Sequence, residues 1–351
     1  MQGIRSKFPH LAVEAILFLD AINIRYLTGF AGSEGALLIG QEEATLLIDG
    51  RYATQARQEA HGVKVFEYQD RIDGIVAVIL EDGSKTVGFE AQAISYDTYT
   101  RLKNRLKGTK LRPVSDEISA IRAIKGEREI ASIRKAAEIS SGALTSVYDF
   151  IRPGVRERDL AVDLEFKMRH NGAEGVSFAT IVASGTNSAL PHAAPSSRKI
   201  EDGDVVVIDC GAVYGGYHSD ETCTFAVGQA NDRQKEVYRL VKEAHDRALD
   251  TVRAGVPCSV VDRAARTCIE DRGLGAYFPH GTGHGVGLAI HEAPRIAAKS
   301  KGALEAGMVV TIEPGVYIPD IWGIRIEDTV LVKEDGCEVL TKIVKDFIIL
   351  T

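Results

Sequence analysis

Residues 278–294 read FPHGTGHGVGLAIHEAP, which sets His280, His284 and His291 among four glycines and between two prolines. Imidazole is the commonest metal ligand and the one side chain whose charge changes near neutrality. Glycine lets the backbone take positive φ and approach a ligand closely. The run is poor material for a helix interior, so it is expected to form a loop with a short strand beside a site. Four carboxylates elsewhere give that site a chemistry. Asp209 and Asp220 lie in VVVIDCGAVYGGYHSDETCTFAV (205–227), and Glu313 and Glu327 in MVVTIEPGVYIPDIWGIRIEDTVLV (308–332). Asp209 and Glu313 each end an apolar run, where burial without a partner is costly.

The first stretch reads as a β-hairpin turning at Tyr214-Gly215-Gly216. Asp209 and Asp220 are equidistant from the Tyr214–Gly215 bond, so a simple antiparallel register sets them face to face. Like charges there are destabilising unless a cation lies between them or a proton is shared. Glu313 and Glu327 are likewise symmetric about Asp320, across a wider loop opened by Pro314-Gly315. Four carboxylates and one imidazole form an oxygen-rich set, and hydrolysis by two divalent ions roughly 3.5–4 Å apart uses such a set. Mn²⁺, Co²⁺ and Fe²⁺ suit these donors as well as Zn²⁺ does. Arg325, two residues before Glu327, shares its strand face. It has three readings: orienting the acids, gripping a substrate carboxylate, or an ordinary strand ion pair.

The elements that position these residues come in two copies. Arg152-Pro-Gly-Val155 recurs as Arg253-Ala-Gly-Val256, the segment at His192 as that at His291, and the run ending in Asp209 as that ending in Glu313. The offset is about 100 residues, and two copies mean duplicated supersecondary units, not a solenoid. Each copy reads helix, helix, strand, strand, with helices expected near 126–150 and 156–171 in the first. Two such halves form an α+β domain, residues 123–351, in which a pseudo-twofold axis pairs His192 with His291 and Asp209 with Glu313. A smaller α/β domain, residues 1–122, precedes it. Strands are expected at 15–20, 35–40, 44–49, 63–68 and 85–90, and helices near 51–61, 71–81 and 95–107. Its GFAGSEG run lacks the GxGxxG spacing and the strand–turn–helix context of a dinucleotide site. The segment 115–130 reads as the connection.

A net charge of −7 argues against a broad nucleic-acid surface. Apolar runs are broken before the ~18 residues of a membrane span, so no membrane partner is expected. Five cysteines without CxxC spacing point to a reducing compartment, the cytoplasm by default, and away from a zinc–thiolate site.

Asp209 and Asp220 in IDCGAVYGGYHSDET, His284 in HGTGHGVGLAIHEAP, Glu313 in TIEPGVY and Glu327 in GIRIEDTVLV resemble the five-ligand pattern of the pita-bread metallopeptidases. That group includes prolidase, aminopeptidase P and methionine aminopeptidase. NIRYLTGFAGSEGALLI and IDGRYATQA resemble the creatinase-like amino-terminal domain of the prolidase and aminopeptidase P branch, so the likeness spans the chain. It implies a duplicated pita-bread catalytic domain and hydrolysis of Xaa-Pro bonds at peptide amino termini. Dipeptides or short peptides are the implied substrates, with two divalent ions per subunit and a homodimer. It further implies that Asp209 chelates one ion, Asp220 and Glu327 bridge, and His284 and Glu313 complete the cluster. Glu313 would also shuttle a proton, His192 contact the substrate and His291 stabilise the tetrahedral intermediate. Within the branch a dipeptidase is preferred, and an aminopeptidase on longer peptides is the alternative. A creatinase-like amidinohydrolase or a binding module, lacking metal, is the rival of another class. Thr222 is expected beside Asp220; Cys223 departs from the Arg frequent in the group. Tyr217 and Tyr317 are expected at the cleft, Trp322 in packing or at the cleft, and His280 and His218 in structural or surface roles.

Overall fold

The computed structural model describes residues 1–114 and 120–351. Residues 115–119 of the expected connection lie outside the described residues. The chain divides into two compact units, residues 1–121 and 122–351.

In the first unit a six-stranded mixed sheet is ordered Lys64–Glu67, Ala44–Ile48, Ala36–Ile39, Ala15–Phe18, Thr86–Glu90, Lys110–Val114. Its central strands read as continuous apolar runs because both faces are covered. Ile16 and Phe18 enter one hydrophobic cluster, Ala15 and Leu17 the other. All five expected strands and three expected helices are present, within two residues of their anticipated ends. The elements that escaped the pattern include the single-turn helices Gln2–Arg5 and Phe8–Leu11, a longer helix and an edge strand. The helix Ala21–Thr28 is short, but it carries ordinary end signals: Asp20 accepts from Ile22 N, and Gly29 closes it at φ 83°. The edge strand Lys110–Val114 holds a proline and is mostly exposed, so it lacks apolar alternation.

In the second unit each half pairs two helices with a sheet. Glu127–Thr145 and Glu157–His170 pack Leu144 and Leu160 in one cluster with Val206 and Ile208. Asp232–Thr251 and Cys258–Glu270 pack Val241 and Val261 against Val310 and Val330. Strand alternation then turns Asp209 and Glu313 away from the helices. Among the described residues no helix is long and apolar enough to cross a membrane.

The first hairpin departs from the expected register and the second keeps it. Tyr214 pairs with Tyr217 around Gly215-Gly216, both at positive φ, a tight two-residue turn. That register sets Asp209 opposite Thr222, not Asp220. The slip is two residues, so Asp220 keeps the same face. In the second hairpin Gly315 pairs with Arg325 and Ile312 with Asp328, the register that sets Glu313 opposite Glu327.

The loop carrying His192 is tied down by one carboxylate. Glu157 is fully buried and accepts from Ser184 N and Oγ, Ser196 N and Oγ, and Asn187 Nδ2. Burial raises its pKa, but the hydrogen bonds from Ser196 and Ser184 outweigh that and hold it below the ordinary value. Glu157→Ala strands buried donors at a cost of about 3 kcal/mol, expected to lower Tm by roughly 6–12 °C. A depressed carboxylate stabilises the fold above its unfolded pKa and ceases to do so as pH falls through the folded one. The Tm gap between wild type and Glu157→Gln is therefore expected to close below about pH 4.

Candidate metal centre

A cleft of about 720 Å³ in the second unit is lined by Asp209, Asp220, His284, Glu313 and Glu327, and also by His192, His291 and Arg325. Each hairpin delivers two acids, and threonines lace the hairpins together at the centre. Thr222 Oγ1 donates to Glu327 Oε2 at 2.6 Å, and Thr329 Oγ1 donates to Asp220 O at 2.7 Å. Glu327 N donates to Thr222 O at 3.1 Å. The triplets Asp220-Glu221-Thr222 and Glu327-Asp328-Thr329 are thus equivalent, a correspondence readable in the sequence beside the longer repeats.

Ligand atoms of Asp220, His284 and Glu327 all lie within 4.8 Å of one another. His284 Nε2 is 3.6 Å from Asp220 Oδ2 and 3.4 Å from Glu313 Oε1. Its Nδ1 lies 3.0 Å from Gly285 O, which assigns the proton to Nδ1 and leaves the Nε2 lone pair facing the acids. Burial keeps this imidazole below its usual pKa, hence neutral and able to ligate.

The acids are electrostatically unpaid for by protein groups alone. Burial, then the charges of Glu327 and Asp209, push Asp220 well above the carboxylate range. Burial, then Glu313 and Asp209, do the same to Glu327, and burial lifts Glu313 to about 7 against the pull of Arg325. Asp209 Oδ1 is buried without a hydrogen-bond partner. An orphaned oxygen, three further carboxylates and one open imidazole fit divalent cations.

Arg325 resolves its three readings by geometry. It donates to Asp209 Oδ2 at 2.7 Å, Tyr317 OH at 2.8 Å, Pro191 O at 3.0 Å and Thr222 Oγ1 at 3.1 Å. Four of its five N–H groups are spent, too many to leave a two-pronged grip for a substrate.

His280 differs from expectation: it lines the cleft. Its Nε2 accepts from Tyr317 OH at 3.0 Å, and burial lowers its pKa to about 4. Its place among the glycines was the available signal. Tyr317 is buried behind the cleft, Tyr217 donates instead to Glu129 Oε1, and Trp322 packs in the core of the second half. Cys223 is buried beside Lys345, on the side of the strand away from the acids. Sequence reasoning also missed Arg295, exposed on the cleft, and the apolar wall of Phe178, Ile181, Pro191 and Ile290.

Two family models match the chain: the Creatinase/Prolidase N-terminal domain over residues 1–124 and metallopeptidase family M24 over residues 131–334. An Xaa-Pro dipeptidase of Pyrococcus horikoshii is 40% identical over 339 residues, 96% of this chain and 95% of that one. The structure of an Xaa-Pro dipeptidase from Bacillus anthracis matches with a TM-score of 0.97 at 41% identity, covering 99% of this chain and 98% of that one. An X-Pro aminopeptidase from Thermotoga maritima matches with a TM-score of 0.92 at 37% identity, covering 99% of each chain.

Acids whose pKa is raised by folding bind more protons folded than unfolded, so they cost stability as pH rises from the unfolded value, about 4.3, to the folded one. For Glu313 that window ends at about 7. Metal-stripped protein is expected to lose Tm across it. Glu313→Gln flattens the slope, and Mn²⁺ at 100 times its Kd adds about 2.7 kcal/mol to the wild type. Thermal melts across pH check all three.

Proposed function

The chain belongs to metallopeptidase family M24 and is a metal-dependent peptidase, and from that premise we propose that it hydrolyses the bond before proline in Xaa-Pro dipeptides. Two divalent ions per subunit, Mn²⁺ or Co²⁺ by preference over Zn²⁺ or Fe²⁺, are held by Asp209, Asp220, His284, Glu313 and Glu327. One observation carries the reading: all five, with His192 and His291, line a single cleft. The names of the relatives support the Xaa-Pro class.

When bound, the ions polarise the scissile carbonyl and lower the pKa of water toward neutrality. Arg325 holds Asp209 by Oδ2 and leaves Oδ1 for an ion. Glu313 takes the proton released by the attacking water and returns it to the departing nitrogen. A proline nitrogen has no hydrogen of its own and its ring fixes φ, so the leaving amine depends on that delivery. His192 and His291 are exposed on the cleft; His192 contacts the substrate near the scissile bond, and His291 donates to the carbonyl oxygen as it gains charge. The wall of Phe178, Ile181, Pro191 and Ile290 suits the pyrrolidine ring.

Arg295 supports the dipeptide over the longer substrate. It lines the cleft and is exposed, and no ion pair with an acid of the chain is found for it among the described residues. It is therefore available to the free carboxylate of a dipeptide. Aminopeptidase action on longer peptides is the second reading, favoured by the likeness to the Thermotoga maritima enzyme. The resemblance to the prolidase branch supports a homodimer. Five free cysteines, four of them buried, suit a reducing cytoplasm.

The test is proline release from Ala-Pro beside cleavage of Ala-Pro-Ala, after chelation and return of Mn²⁺, Co²⁺ or Zn²⁺. Metal-restored cleavage of the dipeptide alone is expected; cleavage of the tripeptide moves the assignment to an aminopeptidase. Glu313→Gln is expected to lower kcat about 10²–10⁴-fold. Arg295→Ala is expected to raise KM for Ala-Pro about 10–100-fold and to leave Ala-prolinamide, which has no carboxylate, unaffected. Light scattering is expected to give a dimer; a concentration-independent monomer contradicts that part.

A further inference from the structure

Behind the metal cleft lies a second group of buried charges. Alternation that turns Asp220 and Thr222 to the cleft turns Glu221 and Cys223 toward the helices. Glu221 there accepts from Ser141 Oγ at 2.5 Å, on the helix Glu127–Thr145. In the other half Asp328, next to Glu327, faces His245 Nε2 at 3.2 Å, on the helix Asp232–Thr251. One ammonium meets both acids. Lys345 Nζ is 2.6 Å from Glu221 Oε1, 3.4 Å from Asp328 Oδ1 and 3.4 Å from Cys223 Sγ. Among the described residues no other lysine or arginine pairs with either acid. The chain before it is laid along both halves: Leu340 N donates to Thr329 O, Thr341 Oγ1 to Asp328 Oδ1 and Lys342 N to Ser141 Oγ.

We propose that Lys345 is a positioning residue: a single buried ammonium, held by the acid after Asp220 and the acid after Glu327, fixes the spacing of those two carboxylates and so sets the affinity of the cleft for divalent ions. The inference rests on the ligand assignment above. Without the ammonium, two buried carboxylates repel each other across the seam between the halves. Each is one peptide unit from a ligand, so their separation moves the ligands with it. Groups that hydrogen-bond the ligands themselves are typically worth 10–100-fold in metal affinity, and a group acting through the adjoining residues is expected at the lower end of that range.

The test uses the full chain, stripped with chelator and dialysed against Mn²⁺ alone. Lys345→Met is expected to bind Mn²⁺ at least tenfold more weakly than wild type. Lys345→Arg is expected to restore binding to within about threefold, because it returns the charge. Unchanged affinity in Lys345→Met, with or without a lower Tm, overturns the proposal and leaves the lysine a purely structural role. Should Lys345→Met fail to fold, Lys345→Gln, which keeps a hydrogen-bond donor between the two acids and removes only the charge, is measured in its place. Weakened Mn²⁺ binding in that variant supports the proposal, and wild-type binding overturns it. Asp220→Asn, measured alongside, separates the two levels. Its unchanged affinity sinks the ligand assignment, whereas its loss beside unchanged Lys345→Met sinks only this inference.

Discussion

Four carboxylates brought into one buried cleft are the constraint on which the rest of the catalytic unit depends. Two like charges about 4 Å apart repel by roughly 4 kcal/mol even at an effective dielectric of 20. Protein cations answer this only in part. Arg325 takes one oxygen of Asp209 and is otherwise spent on Tyr317, Pro191 and Thr222. Glu327 Oε2 and Glu313 Oε1 accept from the uncharged hydroxyls of Thr222 and Thr311, and Asp209 Oδ1 has no partner; divalent ions are the groups that relieve such a set. Affinity for metal is, in this sense, built from strain in the metal-free fold.

The duplication explains how so unfavourable a cluster is held. Each half contributes a hairpin, two helices and the same triplet of acid, acid, threonine. The first acid faces the cleft, the second faces the helices, and the threonine crosses to the other half. The seam between the halves is therefore stitched by backbone and hydroxyl groups, with Arg325 on one side of the strands and Lys345 on the other.

Much of this was legible in the sequence because it is written as local pattern. Apolar runs and turn residues located the strands, and the repeat paired Asp209 with Glu313. The Asp209–Asp220 register came out two residues away because Gly215-Gly216, both at positive φ, centre the turn one residue later than the Tyr214–Gly215 bond assumed. A slip of two preserves the face, so the acids were correctly grouped with the wrong partner opposite. The wide second hairpin kept its symmetric register. What the sequence hid is long-range: the partners of Arg325 lie more than 100 residues away, except Tyr317. Lys345 joins Asp328 nearby to Glu221, 124 residues away in the other half, and Glu157 is held by loop hydroxyls and amides 27 to 39 residues on, neither of which leaves a local pattern. His280 was underweighted because its place among glycines marks a loop beside a site without showing which way the side chain faces.

The most direct measurement of the central claim is the number of Mn²⁺ ions bound per chain, by elemental analysis of metal-stripped and reloaded protein. Wild type should hold two, and Asp209→Asn should hold one, since Asp220, His284 and Glu327 still converge within 4.8 Å. A wild type that holds no stoichiometric metal, or an Asp209→Asn variant that still holds two, would contradict the account.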